Sequence, residues 1–565
     1  LNGTREGHQG GDQGARRGGL WRTVRTFAYG TPLYRYILSG RAPEQLATVP
    51  TDSWPGHSDH GRMILEGRFS LLGHVVLLSA DPRDPDTWVP EDATGDWQAA
   101  LNGFSWLRDL RQVGGDMARR RARELVADWI DRYADWDAFA WEADILGERI
   151  ANWIGHHDFF CASADDEFRA RFLDSLFRQA RHLGRIAATA ADGSGLVQAA
   201  KGLIYAGAAL PTETALQAQG CRLLAERLPR QILPDGCHAS RSPSRHLAVL
   251  RDLIDIRACL RATGDPVPDA VDSAIERMAA MLRTLRHGDG GLALFNDSNE
   301  EDPLLIDAVL AQSEAKIRPQ NAPGASGFHR LSAARTLLIL DAGQPGTLDG
   351  CAHAGLLSFE MSVAKERLIV NCGAASGRPD WNRALRATAA HSTLVVDDVN
   401  SAEVLGDGTP GRSPARVTAD RQEQDGDQLI NASHDGYAER LMLTHRRRLF
   451  LSADGADVRG EDVLTGSGGE HFAVRFHLHP KVKASVSQNG AFVLLRLPGG
   501  HGWRMLASGG TLALADSVYL GQRGEMKRSQ QIIVSGTLSG TGTVMKWALR
   551  REEKRAPDKV QAGKV

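Results

Sequence analysis

The sequence predicts a multidomain α+β protein, a helical half followed by an antiparallel β half. Three observations predict it. The chain has 565 residues, too many to share one core. From about residue 101 to 310, apolar residues recur at three- and four-residue steps, the period of helices packed on one face. Beyond about residue 330 the period becomes two, as in strands. Helices and strands that are segregated along the chain exclude a wound βαβ sheet.

In chain order, Leu1 to Gly19 is Gly-rich and polar, lacks a signal-peptide apolar core, and reads as a disordered tail. Trp21 to Leu38 reads as a short basic helix, so residues 1–60 are expected to form a tail and arm. From residue 61 to about 100 the strand-like pieces Phe69 to Leu72 and Val75 to Leu78 suggest a small subdomain at the start of a helical domain spanning 61–320. Three stripes carry the helical reading. They are Phe168, Phe172, Leu176, Ala180 and Leu183; Leu247, Leu250, Ile254 and Arg257; and Val271, Ile275, Met278, Leu282 and Leu285, with Gly288 expected as the last helix's C-cap. Short loops imply antiparallel hairpins, and periodicity leaves open whether these close into a barrel or form an open solenoid.

Ser313 to Arg330, with Pro319, Pro323, Gly324 and Gly327, reads as a linker. The β domain is expected over 325–552, and a second disordered tail over 553–565. Its clearest strand is His471 to His479, with Phe472, Val474, Phe476 and Leu478 on one face and Arg475, His477 and His479 on the other. Thr336 to Asp341, Leu356 to Ser362, Arg367 to Asn371, Ser392 to Asp397, Arg447 to Ser452, Phe492 to Leu497 and Thr543 to Leu549 also read as strands.

A formal net charge of −2 supplies no global field for nucleic acid or an anionic membrane. No apolar run approaches the roughly 18 residues of a spanning helix. Six cysteines without a C-x-x-C pair read as free buried thiols.

Three segments carry chemistry. The first, Leu233-Pro234-Asp235-Gly236-Cys237-His238-Ala239-Ser240-Arg241-Ser242-Pro243-Ser244-Arg245-His246, crowds two Arg and two His before a helix. The second runs from Ala352-His353-Ala354-Gly355 through Ser358-Phe359-Glu360 to Asn371-Cys372-Gly373. The third is Arg386-Ala387-Thr388-Ala389-Ala390-His391-Ser392-Thr393. In wording, order and spacing they resemble the heparinase II/III-like polysaccharide lyases, from about Gly61 to Arg550.

The resemblance implies an incomplete (α/α) toroid followed by an antiparallel β-sandwich, with a sugar cleft between them. It also implies β-elimination on an acidic, uronate-containing polysaccharide or oligosaccharide, which needs a neutralised carboxylate, a base and an acid for the leaving oxygen. Arg241 and Arg245 are the expected carboxylate ligands, and His238 or His246 the proton carrier. Trp381, Arg383, Arg386 and Arg475 are candidate substrate contacts. His353, Asn371 and His391 stand where the family holds one structural zinc, with Cys351 or Cys372 as substitute ligands. Three usual roles are replaced: the loop Tyr falls on Arg245, an Asn-His pair on Ser194-Gly195, and a His on Cys351. A catalytically degenerate glycan-binding protein is therefore the alternative. The family implies a periplasmic or envelope location, with the cytoplasm also open, and a homodimer is compatible with it.

Blander readings stand beside these. His353 and His391 also fit core histidines, the His238–His246 loop a capped helix start, and Trp381 a cover for the sheet core. Arg119-Arg120-Arg121 reads as a solvated helix face, Arg446-Arg447-Arg448 as split between strand faces, and Asp165 with Asp166 as a helix cap.

Overall fold

The structure, a computed structural model, describes residues 27–79, 87–319, 324–375, 377–540 and 542–552. The two expected tails, as far as Thr26 and from Glu553, lie outside these residues.

The helical half begins earlier than expected. A helix at Pro32–Leu38 is capped by Thr31, whose Oγ1 accepts from the Tyr34 N–H at 3.2 Å. The Ala47 N–H donates to the Ala209 carbonyl (2.8 Å), and the buried Trp54 donates Nε1–H to Asp255 (2.7 Å). Residues 27–60 thus belong to the helical body and are not an arm. The reason is that Trp54 and Tyr34 supply large apolar faces that pay off only inside the core.

Helical hairpins build the rest. Ser194–Ala209 packs against Ala143–Gly155, Ala215–Gln231 and Pro243–Thr263. It reaches the first at a glycine pair: a Cβ on Gly202 would sit 2.5 Å from the Gly147 Cα. The expected stripes face inward, Phe172, Leu176, Ala180 and Leu183 on Asp166–Ile186 and Val271, Ile275, Met278 and Leu282 on Asp269–Thr284. Asp165 caps its helix by accepting from the Phe168 N–H at 2.8 Å. Gly264 (φ 76°) is a left-handed C-cap. Gly288 is not, because its helix ends at Thr284. A Cβ there would lie 1.8 Å from the Ala364 carbonyl, so this glycine allows the two halves to meet.

Strands β1 (Arg68–Leu71) and β2 (His74–Leu77) form a hairpin whose Gly73 tip touches Gly524 of the β half. The β half contains β3 (Phe328–Ala333), β4 (Thr336–Asp341), β5 (Phe359–Val363), β6 (Glu366–Val370), β7 (Leu394–Val396), β8 (Val417–Gln424), β9 (Asp427–Tyr437), β10 (Leu443–Leu451) and β11 (Asp457–Gly466). It continues with β12 (His471–Leu478), β13 (Lys483–Val486), β14 (Val493–Arg496), β15 (Gly502–Ser508), β16 (Thr511–Tyr519), β17 (Lys527–Thr537) and β18 (Gly542–Arg551).

One antiparallel sheet runs β13-β14-β15-β18-β11-β10-β9-β8. The other runs β16-β17-β12-β6-β5-β4-β3, with β7 beside β12. Alternating apolar residues from both fill one core, where Phe359 stacks on Trp547 with ring centroids 5.5 Å apart. The molecule is a helical toroid followed by a β-sandwich, as the sequence predicts. Among the described residues no helix is long and apolar enough to cross a membrane.

The arginine triplet on β10 splits as the period of two requires. Arg447 is buried on Asp462 and on the Leu357 and Ser392 carbonyls, while Arg446 and Arg448 turn outward to Glu461. On β12 the outer-face reading fails at His477. Its Nδ1 meets Ser517 Oγ (2.8 Å) and Cys372 Sγ (3.4 Å), and Nε2–H donates to the Ala389 carbonyl (3.0 Å), because the 372–390 segment covers this face.

Candidate functional site

The loop before Pro243–Thr263 and His353 of the β half meet at Asn296, whose Nδ2–H donates to the Arg241 carbonyl (3.1 Å) and whose Oδ1 accepts from the His353 N–H (3.3 Å). The loop makes a tight turn in which the Arg241 N–H donates to the His238 carbonyl (2.9 Å), with Arg241 in a left-handed conformation (φ 56°). Such backbone costs a non-glycine residue about 1–3 kcal/mol. It is fixed from both sides: Asn296 Nδ2–H donates to the Arg241 carbonyl (3.1 Å), and Ser242 Oγ caps the helix through the Arg245 N–H (3.3 Å).

This turn decides which loop residues can act. Arg241 is buried and saturated: it pairs with Asp341, donates to the Ser326 and Gln344 carbonyls (2.8 and 2.6 Å), and lies over the Phe328 ring. It ties the toroid to the end of β4 and cannot also grip a substrate carboxylate, which corrects its expected role. His246 is also committed. Its Nδ1 accepts from the His238 N–H (3.2 Å) and its Nε2 meets the Met278 carbonyl (2.9 Å). It is a scaffold group, not a proton carrier. Burial pushes its pKa down to about 4.

His238 and Arg245 remain. His238 is fully buried, with Nδ1 on Ser240 Oγ (2.9 Å) and 3.7 Å from Asp349 Oδ2. Burial first, and the Arg245 charge, lower its pKa to about 4 against the opposing pull of Asp349. Its Nε2 and the Asp349 Oδ2 are buried without hydrogen-bond partners among the described residues. Asp349 reaches from the β half to cap Ser194–Ala209, its Oδ1 accepting from the Ser194 N–H and hydroxyl at 2.9 Å each. Gly193 leaves the room, since a Cβ there would be 2.4 Å from that oxygen.

Arg245 is half-buried against the Cys351 thiol, Asp349 and Asp297. Arg523 lies near it, bonded to Glu301 (2.6 Å). Asp349, Asp297, Glu301 and Arg523 were not singled out in the sequence. None forms a local pattern with the loop, and only Asp349, two residues before Cys351, sits beside a recognisable segment. Burial lifts the Cys351 thiol to about 12.

The histidine pair is geometrically explicit. The Asp297 N–H donates to His353 Nε2 (3.0 Å), so His353 carries its proton on Nδ1. That proton points at His391 Nε2 (3.2 Å), and His391 Nδ1–H donates to the Ala387 carbonyl (2.9 Å). Burial holds both imidazoles neutral.

The residues present do not fit a zinc ion. Asn371 offers only a neutral oxygen, already accepting from the Ser392 N–H (2.9 Å), and its other arm is an NH2 group with no lone pair for a metal. Cys351 Sγ lies on the Asp349 carbonyl (3.4 Å) and Cys372 Sγ on His477, so neither thiol substitutes. Among the described residues no three His, Cys, Asp or Glu side chains share a metal-sized space.

Of the expected sugar contacts, Arg386 is buried on Asn382 and on the Gly350 and Ala352 carbonyls, and shapes the loop. Trp381 is partly buried against a small cluster of Cys372, Ala375, Leu385 and Leu520 that is separate from the core between the sheets. Arg475 Nη1 holds Gln531 (3.1 Å), while Arg383 is exposed on Pro379–Leu385.

A helical toroid packed onto a two-sheet β domain, with buried polar residues at their junction, defines the class. The sequence matches "Heparinase II/III N-terminus" over residues 86–323 and "Heparinase II/III-like, C-terminal" over 316–548, and the chain belongs to the heparinase II/III-like family. It is 32% identical to FtsZ-localized protein C of Caulobacter vibrioides, across 95% of this chain and 97% of that protein. Its fold is similar to a heparinase III crystal structure (TM-score 0.72, 16% identity, 94% and 92% of the two chains). It is also similar to a mutant of heparan sulfate lyase HepC from Pedobacter heparinus (TM-score 0.61, 16% identity, 97% and 91%).

Proposed function

We propose that this chain uses the heparinase II/III fold to bind rather than to cleave, as a component of an FtsZ-associated assembly. One observation carries the first part: both loop guanidiniums are already answered. Arg241 is consumed by Asp341 and two carbonyls, and Arg245 sits among Asp349, Asp297 and Cys351. β-Elimination next to a uronate requires that its carboxylate be neutralised before the α-proton can leave. A site with Arg245 and Arg523 facing Asp349, Asp297 and Glu301 has no spare positive charge for that task. The loop position of the family's Tyr is also occupied by Arg245, which cannot act as a base at neutral pH.

His238 Nε2 and Asp349 Oδ2 are buried and unpartnered among the described residues, so they add no positive charge that a uronate could use. With no spare positive charge beside Arg245 and Arg523, the junction suits an uncharged glycan better than a uronate polymer, and that is the ligand class we favour. The partner follows from the relative matched along nearly its whole length, whose name places that protein with FtsZ. By extension we assign this chain a cytoplasmic location, in place of the periplasmic one implied by the lyases.

Two measurements test this. Purified protein incubated with heparan sulfate, chondroitin and alginate should give no rise in ultraviolet absorbance from unsaturated product. A sustained rise that disappears in His238→Ala would reverse the reading in favour of a lyase. A fluorescent fusion should follow FtsZ through the cell cycle, and export to the periplasm would refute the assignment.

A further inference from the structure

We infer that the His353–His391 pair is a metal-independent clamp between the two halves, and that the amide of Asn371 is what keeps zinc out of it. The inference is independent of whether the protein cleaves or binds glycans.

The distance alone does not separate a clamp from a metal centre. Two ligands of one tetrahedral zinc lie about 3.3 Å apart when each Zn–N bond is about 2.0–2.1 Å, close to the 3.2 Å seen here. The ends of the chain separate them. A backbone N–H enters at His353 Nε2 and a backbone carbonyl leaves at His391 Nδ1, which fixes both tautomers and puts one proton between the rings. The rings meet edge to face at 82°, a geometry that an N–H pointing at an in-plane lone pair allows.

The same arrangement recurs inside the β-sandwich. His434 and His445 meet at 3.2 Å and 86°, with the Gly436 N–H entering at one end and Asp462 accepting at the other. A hydrogen-bonded imidazole pair is therefore a packing solution this chain uses twice.

Asn371 supplies the decisive chemistry. Its side chain lies against the backbone that follows His391 and is oriented by the Ser392 N–H, a donor that only Oδ1 can accept. Its backbone N–H is held by Glu360 Oε1 (2.8 Å), so the residue is fixed through its main chain as well as through Oδ1. The remaining Nδ2 is buried without a partner among the described residues. An aspartate in this place would keep the Ser392 contact and offer a second, anionic oxygen, completing a His-Asp-His donor set. The clamp joins Asp297 of the toroid, which is left-handed (φ 58°), to the segment before β7.

The test compares wild type with Asn371→Asp by elemental analysis and thermal unfolding, each after dialysis with zinc and after EDTA. Wild type should carry no stoichiometric zinc and unfold at the same temperature in both buffers. Asn371→Asp should bind about one zinc per chain and gain several degrees that EDTA removes. Asn371→Ala should bind none, which separates the new carboxylate from mere loss of the amide. Zinc copurifying with wild type would overturn the clamp, and Asn371→Asp that folds but binds no zinc would overturn the role of the amide. As a second readout that needs no variant, the ring nitrogen signals of His353 and His391 in 15N-histidine-labelled wild type should report two neutral Nδ1–H tautomers and stay unmoved by excess zinc. Stoichiometric shifts on adding zinc would defeat the proposal.

Discussion

At Arg241 three kinds of constraint converge on one side chain: a left-handed backbone, an ion pair with Asp341 and two carbonyl acceptors. Removing one partner of a buried pair typically costs about 3–5 kcal/mol, because the other charge is left without compensation. Arg241→Ala should lose stability of that order in urea unfolding. Arg383→Ala, on an exposed helix face, should change it by less than about 0.5 kcal/mol. Near-equal effects would show that the loop arginine is not the strut described. The crowding of two Arg and two His in the 238–246 loop was legible in the sequence, but their division of labour was not. Arg241 and Arg245 look equivalent as letters. Only Asp341, 100 residues away along the chain, separates them.

Among elements, the strands of the β half were the most legible part. His471–Leu478 follows from alternation, since one buried face imposes a period of two, and Thr336–Asp341 from a continuous apolar run, since both its faces are buried. Helix ends were less so. Gly288 looks like a C-cap because it follows an apolar stripe, yet its purpose lies across the molecule at the turn between β5 and β6. With the Ala364 carbonyl 1.8 Å from where a Cβ would stand, Gly288→Ala must push that turn away. Overpacking of this kind costs about 1–3 kcal/mol. Thermal unfolding should show a lower midpoint, together with faster proteolysis between residues 313 and 327; an unchanged midpoint would mean that the turn yields freely.

For the whole molecule, pH is the informative variable. Burial lowers the pKa of His156, His238 and His246 to about 4 and that of His477 to about 3, whereas in the unfolded chain each titrates near 6.5. Below 6.5 the unfolded state therefore binds more protons than the folded one. The stability these groups contribute is complete above pH 6.5 and is lost as pH falls towards 4. Glu148, raised to about 7 by burial and by Asp252, works in the opposite sense across much of this window, one group against four. Urea midpoints measured from pH 8 to 5 should begin to fall near pH 6.5, and His246→Gln should flatten the slope. Midpoints that are flat until pH 5 would show that these histidines are protonated in the folded protein. A sequence cannot reveal this behaviour, because the shift comes from tertiary burial and the residues involved lie in three separate segments.

The touch between Gly73 and Gly524 has a consequence for biosynthesis. A hairpin translated before the toroid helices waits for a loop translated after most of the β half. Asn299 waits as well, since its side chain donates to the carbonyls of Ala374 and Leu520. At about 5–20 residues per second, the roughly 200 residues between Asn299 and Leu520 take on the order of 10–40 s to translate. Through that interval the finished toroid presents an uncovered polar seam, and nascent chains stalled before residue 520 should be the species that chaperones and proteases find first.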